Sequence, residues 1–573
     1  VDSMEREGIL HVVTEYYYRN PGEFSIAKAG VHVLNEQQQE LIDEFREDFL
    51  RENHKTYLLH GITGSGKTEV YLAAIEEVIK QGKQAIVLIP EIALTFQTVQ
   101  RFYRRFGSQV SVLHSRMSKG ERYDQFLRAM RGEISIMIGP RSALFTPFTN
   151  LGLIIMDEEH EGAYKSEQAP RYHARETAVH IAKMCGAGVV FGSATPSVEA
   201  FYRAKKNEYT LLELPRRASG TLPAVYTVDL REELKCGNRS VFSRRLQELI
   251  QQRLAAKEQI ILFLNKRGYA GFVSCRMCGH VLKCPHCDIS LTEHKNGKMV
   301  CHYCGYTEPV PVQCPACGSK YISGFKAGTE KIEMVVRKRF PEARVLRMDM
   351  DTTAGKEGHE KILAAFSAQE ADILVGTQMI VKGHDFPNVT LVGVLAADMS
   401  LYAGDYRAAE RTFSLLTQVV GRAGRGSKTG RAVIQTYTPG NDVIQCAARQ
   451  DYDAFYESEI RMRRLRRYPP FADIFTVTVS GTEEGRVLRA AAAVRETLRQ
   501  LCLRPELAAG EPEVLGPAPA PVVKVNNRFR YRCTLVGRND KPTREMLAWL
   551  QKTFAKDSAN RGLNIFVDHN AAD

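Results

Sequence analysis

The chain contains no run of about 18 apolar residues, which argues against a helical membrane span. Its first residues, Val-Asp-Ser-Met-Glu-Arg, lack the basic-then-apolar pattern of a secretory signal. They also lack an initiator methionine, so the sequence reads as a piece of a longer chain. No second phosphate-binding loop is present, and any nucleotide chemistry must therefore rest on one site. Five of the thirteen cysteines (Cys185, Cys236, Cys446, Cys502 and Cys533) are scattered and read as structural fillers.

What is present is ordinary in bulk and specific in detail. Over 573 residues, 44% apolar and 25% charged content describes a globular chain of several domains, each able to bury a core. The excess of 78 basic over 66 acidic residues, a net +12, is a modest bias toward polyanions.

The other eight cysteines form four Cys-x-x-Cys pairs within 43 residues: Cys275/Cys278, Cys284/Cys287, Cys301/Cys304 and Cys314/Cys317. In an otherwise cytosolic-looking chain, such pairs favour metal thiolates over disulfides. Eight thiolates suit two closed tetrahedral Zn²⁺ sites, which are structural because no coordination position stays open. The middle four have ribbon-like spacing, which by nesting leaves the outer four for the second ion. Spacing alone leaves sequential pairing open as well. An iron–sulfur cluster is the chemical alternative, but closely spaced double pairs favour zinc. His280, His286, His294 and His302 exceed the ligand need and read as surface or nucleic-acid-facing residues.

Residues 55–61 read as a short strand, Gly61-Ile-Thr-Gly64-Ser-Gly66-Lys67-Thr68 follows, and a helix is predicted from Glu69 to about Lys80. This is the strand–loop–helix setting of a phosphate-binding loop. Gly61, Gly64 and Gly66 let backbone N–H groups curl around phosphates, and the helix N-terminus adds positive potential. Lys67 reaches the β- and γ-phosphates and Thr68 holds Mg²⁺, so ATP with Mg²⁺ is the expected cofactor pair. Leu153-Ile-Ile-Met is an apolar strand ending in Asp157-Glu158-Glu159-His160. Asp157 is expected to coordinate Mg²⁺, and Glu158 to orient and deprotonate the attacking water.

Apolar runs at Gln84–Pro90, Ser111–His114, Ile134–Gly139 and Gly188–Gly192 alternate with helical stretches, the rhythm of a doubly wound parallel sheet. Polar motifs at their ends, including Gly192-Ser193-Ala194-Thr195-Pro196, read as nucleic-acid-facing and coupling elements. A second series runs through Gln259–Asn265, Ala343–Asp349, Asp372–Gln378, Val389–Asp398 and Arg431–Tyr437. Lacking its own phosphate loop, this lobe should complete the first site through Gln418-Val-Val-Gly421-Arg422-Ala-Gly424-Arg425, with Arg422 and Arg425 as arginine fingers. Lys382 lies in Gly376–Asp385, which resembles a loop sensing nucleotide and strand. Residues 160–175 offer Tyr164 and Tyr172 for base stacking, and Lys165 and Arg171 for phosphates.

Beyond Gly440 comes a basic segment, Arg461–Arg467, then an alternating run, Phe475–Ser480, and a helix from about Glu483 to Leu503. Gly516–Pro521 reads as a stiff linker or turn, and Lys524, Arg528, Arg530 and Arg532 as phosphate-tracking side chains. This is an α+β domain with affinity for DNA.

Together with Asn265-Lys-Arg267-Gly268-Tyr269 and Gly328-Thr329-Glu330, these motifs resemble the PriA (primosomal protein N′) family of superfamily 2 replication-restart helicases, from about Leu34 to the C-terminus. The resemblance implies two RecA-like doubly wound α/β lobes, a double-zinc insert in the second lobe and the C-terminal α+β domain. It implies nested cysteine pairing and an adenine-sensing Gln38. Expected boundaries are 1–33 (remnant of a winged helix), 34–215 (lobe 1), 216–271 and 324–440 (lobe 2), 272–323 (zinc insert) and 441–573 (C-terminal domain). The implied activity is 3′→5′ unwinding of forked DNA and D-loops by a cytoplasmic, nucleoid-associated monomer. Its partners would be forked and single-stranded DNA, primosome proteins and single-stranded DNA-binding protein, with no membrane. Arg116 and Pro140 depart from the family pattern at the rim of the DNA-facing side. The rival readings are a duplex translocase, an RNA helicase, and a primosome scaffold whose ATPase is dispensable.

Overall fold

Aliphatic runs without polar alternation predict strands buried on both faces, and in the computed structural model β2 and β4–β6 below are almost wholly buried. The structure describes residues 4, 6, 8, 9, 11, 18 and 19, and residue 33 onward except 91–95, 219–220, 266–272, 288, 295–296, 324–327, 350–351, 354–357, 381–385, 425–427, 509 and 572–573. Two compact units emerge. One comprises Val1–Thr56, Thr68–Asp157 and Ala174–Phe191, the other Tyr57–Lys67, Glu158–His173 and Gly192–Asp573.

The strands of the first parallel sheet are β1 (Thr56–Gly61), β2 (Gln84–Leu88), β3 (Val110–Val112), β4 (Ile136–Gly139), β5 (Leu151–Asp157), β6 (Gly188–Ser193) and β7 (Thr210–Leu214). In the first unit they run β3-β4-β2-β5, all parallel, and in the second β1 pairs in parallel with β7. Parallel neighbours need crossovers, supplied by helices such as Lys67–Lys80 and Lys119–Met130. Ser118 and Glu121 cap the latter reciprocally.

The second unit carries β8 (Ala224–Asp229) and β9 (Gln259–Phe263), then five short zinc-module strands: β10 (Ser274–Cys275), β11 (Thr292–Glu293), β12 (Lys298–Val300), β13 (Thr307–Pro309) and β14 (Ile322–Ser323). After them come β15 (Val345–Met348), β16 (Ile373–Gly376), β17 (Val389–Val394) and β18 (Arg431–Thr436). The second parallel sheet has the order β15-β16-β9-β17-β18-β8. Its core is aliphatic, with Leu246, Ile260, Leu262, Ile332, Val375 and Val433 fully buried. The two parallel sheets are the two RecA-like lobes.

The C-terminal sheet is antiparallel, β20-β21-β19-β22, from β19 (Asp473–Gly481), β20 (Glu513–Val525), β21 (Arg528–Gly537) and β22 (Asn564–His569). Period-two alternation sends Phe475, Val477 and Val479 onto the helices Glu484–Cys502 and Lys541–Lys556, leaving Thr476 and Thr478 on the opposite face. Gly516–Pro521 lies inside β20 and is not a linker. β20 is an edge strand with register irregularities at Leu515/Ala518 and Pro519/Lys524, where prolines without an N–H are tolerated. Among the described residues no helix is long and apolar enough to cross a membrane.

Candidate nucleotide, zinc and DNA sites

The phosphate loop leaves β1 at Gly61 and closes at the helix Lys67–Lys80. Gly64 and Gly66 take φ values of 85° and 84°, a region that penalises any side chain. A Cβ on Gly61 would lie 2.6 Å from Ser65 Oγ. The Lys67 ammonium donates to Gly61 O at 2.8 Å, folded over its own loop. Thr63 Oγ1 is buried with no hydrogen-bond partner among the described residues. A tight loop with a lysine at a helix start and an orphaned hydroxyl fits a triphosphate. Before the loop, burial and then the Lys67 charge hold the His60 imidazole down, at about 4, so it is neutral at pH 7.

Asp157 ends β5, and the buried Tyr71 hydroxyl donates to its Oδ1 at 2.9 Å. The next residue, Glu158, sits at φ 48°, a left-handed conformation that a glutamate adopts at a cost of about 1–3 kcal/mol. Its buried Oε2 has no hydrogen-bond partner among the described residues and lies 3.6 Å from His160 Nδ1. That is what a water- or Mg²⁺-directed oxygen requires.

His160 is a junction that the sequence did not reveal. Its Nε2 accepts from the Gln418 amide at 2.9 Å, which fixes the proton on Nδ1, donated to Ser193 Oγ at 2.7 Å. Ser193 Oγ also accepts from Thr195 N at 3.0 Å, and Thr195 Oγ1 bonds Ser414 Oγ at 2.8 Å. Buried Glu159 takes the N–H and hydroxyl of Ser197, at 2.6 and 3.0 Å. The acidic turn, the residues after β6 and the helix Ala408–Val420 thus share one network. At the end of that helix, Gly421 packs against the phosphate loop: a Cβ there would lie 3.1 Å from Thr63 Cβ. Arg217 donates to Gly421 O at 3.2 Å, and Ala218 N to Gly64 O at 2.9 Å. Arg422 follows, half-buried, whereas Arg425 and Lys382 lie outside the described residues. Gln38 is buried in a capping box with Asn35 at the start of the helix Glu36–Leu50.

A second network escaped the sequence reading. Arg463, in the basic segment, is 1% exposed and meets three carboxylates: Glu410 at 2.5 Å, Glu459 at 2.9 Å and Glu199 at 3.3 Å. Glu410 also accepts from Val198 N at 3.1 Å.

The cysteines resolve the pairing that spacing left open. Cys275, Cys278, Cys314 and Cys317 form one cluster and Cys284, Cys287, Cys301 and Cys304 the other, with the sulfurs of each within 4.8 Å of one another. The pairing is nested. Sulfur separations of 3.6, 3.6 and 3.5 Å (Cys275–Cys317, Cys278–Cys314, Cys284–Cys304) approach the ~3.8 Å edge of a tetrahedron with Zn–S bonds of about 2.3 Å. Crowding splits the thiols: the Cys287 hydrogen bond holds Cys301 down at about 5, while burial pushes Cys304 up to about 12. A divalent cation is what lets all four ionise. His302 is buried, bonding Pro519 O at 3.0 Å, so it is not a surface residue.

The expected DNA contacts divide. Tyr164 and Lys165 are buried, at 1% and 5% exposure, with the Lys165 ammonium 2.8 Å from Asp568 Oδ1. Arg171 and Tyr172 are half-buried. Arg532, expected to track phosphates, is buried and donates to His302 O at 3.1 Å.

Family models match in the order of these sites: DEAD/DEAH box helicase over 35–203, the PriA DNA helicase Cys-rich region domain over 284–309, the helicase conserved C-terminal domain over 320–427, and the primosomal protein N C-terminal domain over 464–570. The replication restart protein PriA of Bacillus subtilis (strain 168) is 46% identical over 573 residues, covering 100% of this chain and 70% of that protein. The chain belongs to the PriA family. PriA of Synechocystis sp. is 46% identical over 486 residues (83% of this chain, 58% of that protein), and PriA of Haemophilus influenzae 39% over 488 residues (84% and 65%). The chain therefore spans 58 to 70% of the length of these three relatives.

The Cys-rich match takes in only the inner cluster of this PriA-family chain; the outer one lies beyond that match and is formed in the structure. Metal analysis separates them. The purified protein should carry close to two zinc ions, and Cys287→Ser and Cys301→Ser should each lose the same one. Cys275→Ser and Cys317→Ser should each lose the other. Metal release that grouped Cys275 with Cys287 would contradict the nested geometry.

Proposed function

We propose that this chain is an ATP-dependent 3′→5′ DNA helicase of replication restart, acting on forked DNA and D-loops and assembling primosome proteins there. The observation that carries the reading is the His160 junction, which ties the hydrolytic turn to the helix Ala408–Val420, directly followed by Gly421 and Arg422. In this reading Lys67, Thr68 and the N–H groups of Gly61, Gly64 and Gly66 hold the phosphates. Thr68 and Asp157 would hold Mg²⁺, which would supply neutralisation of developing charge. Glu158 takes the proton of the attacking water, Arg422 and Arg425 close on the γ-phosphate, and Gln38 reads adenine. Family membership, the +12 charge and the exposed edge of the 160–175 loop support DNA as the track, with Arg171, Tyr172 and Lys382 as contacts. Two zinc ions stabilise the insert, and single-stranded DNA-binding protein is among the partners of a cytoplasmic monomer.

The test compares ATP hydrolysis and strand separation on forks with 3′ or 5′ single-stranded tails and on an RNA duplex. DNA-stimulated hydrolysis with unwinding from the 3′ tail is the expected result. Stimulation without separation would favour a translocase. A chain unresponsive to DNA would favour the scaffold, in which hydrolysis is dispensable.

A further inference from the structure

The polar face of the C-terminal sheet holds the loop that follows the hydrolytic turn. Phe566 and Asp568 alternate on β22 and share one face, in register with Thr478 and Thr476 of β19. Against them lie the two cations that the sequence assigns to phosphate binding. Lys165 Nζ stands 2.8 Å from Asp568 Oδ1, Arg171 Nε stands 3.7 Å from Oδ2, and the Arg171 guanidinium covers the Phe566 ring at 4.2 Å. Lys165 Nζ also donates to Arg171 O at 2.8 Å, so the loop itself presets the ammonium. Bridge pairing of Lys165 with His173 and the bond from Ser166 N to Tyr172 O (2.9 Å) close the loop into a hairpin. Two cations and an aromatic face converging on one anion is how a protein grips a phosphodiester.

The loop is also joined to the chemistry by consecutive turns. Glu161 N donates to Glu158 O, Tyr164 N to Glu161 O and Lys165 N to Gly162 O, at 2.9, 3.1 and 3.1 Å. These bonds make a continuous hydrogen-bonded run of backbone from Glu158 to Lys165.

We propose that Asp568 occupies the place of a DNA backbone phosphate on the Lys165/Arg171 pair, so that single-stranded DNA engages this loop by exchange with the C-terminal strand. This rests on the reading of the chain as a DNA-dependent ATPase. It adds a competitor built into the fold: the carboxylate holds the loop docked until a phosphate replaces it. Removing the carboxylate should tighten DNA binding, and the effect should require Lys165.

The experiment measures binding of a fluorescent oligothymidylate to the full chain by anisotropy, and ATP hydrolysis against oligonucleotide concentration. Asp568→Asn should lower both the Kd and the half-saturating concentration about five- to tenfold, the scale of one regained phosphate contact. Glu545→Gln, which removes an exposed acid elsewhere on the domain, controls for the added positive charge and should change neither beyond about twofold. Asp568→Asn with Lys165→Met should lose the gain. In the unsubstituted protein, oligonucleotide should increase hydrogen exchange in β22, a readout that does not depend on a variant folding. Equal shifts in Asp568→Asn and Glu545→Gln, an unchanged Asp568→Asn, or protection of β22 on DNA addition would each overturn the exchange. A parent protein whose hydrolysis ignores DNA would instead overturn the helicase reading itself.

Discussion

Glu158→Gln should lower the turnover of DNA-stimulated ATP hydrolysis about 10³-fold, with the KM for ATP within a few-fold of the parent. The amide matches the carboxylate in shape but cannot take a proton. Its backbone is already committed, since φ 48° at this position orients the side chain whichever group it carries. His160, whose Nδ1 lies 3.6 Å from Glu158 Oε2, is not a ready substitute base. Its Nε2 lone pair accepts from Gln418 and its Nδ1 proton goes to Ser193, so it has no free site for a proton from water. Single-turnover phosphate release with saturating oligonucleotide reads the chemical step directly. Retention of more than about a tenth of the parent rate would place the base elsewhere.

The strand–loop–helix around Gly61–Thr68 and the turn after the strand Leu151–Asp157 were legible in the sequence because each is set by adjacent residues on one passage of chain. The two parallel sheets were legible for a similar reason: strands buried on both faces cannot hide a polar residue mid-run. The zinc ligands were legible as a set, but their grouping was not, because Cys-x-x-Cys spacing fixes each knuckle and leaves the partner knuckle to the fold. The His160 junction joins residues 33 and 258 positions apart, and no local pattern encodes such a meeting. Lys165 and Arg532 read as phosphate ligands and Arg463 as part of a basic segment, yet each is buried against an acceptor from a distant segment. A charge run in a sequence reports composition; whether it faces solvent depends on carboxylates and carbonyls brought in by other elements.

Arg463→Ala should cost about 3–5 kcal/mol of local stability, because it strands carboxylates that cannot return to water. The guanidinium is 1% exposed and joins the helix Tyr452–Arg466 to Glu410 on the helix Ala408–Val420 and to Glu199 on the helix Val198–Lys205. It also donates to Pro469 O at 3.1 Å, and its charge lies over the Tyr406 ring at 5.3 Å. Burial already raises the Glu410 carboxyl, against the opposing pull of Arg463. With the arginine gone, Arg407, whose Nε lies 3.8 Å from Glu199, is left as the counter-charge for two carboxylates, and protonation of one becomes the cheapest response. Stability of the variant should therefore improve as pH falls, over a range where acid ordinarily destabilises. Arg463→Met should be nearly as damaging, since packing volume does not replace the charge. Adding Glu410→Leu to Arg463→Met should recover part of the loss, as apolar replacement of a buried pair usually does. Urea unfolding combined with hydrogen exchange on the helix Ala408–Val420 would resolve this, since that helix also carries Gln418 toward His160. A loss below about 1 kcal/mol in Arg463→Ala, with exchange on that helix unchanged, would mean that water replaces the guanidinium and the network does not position the helix.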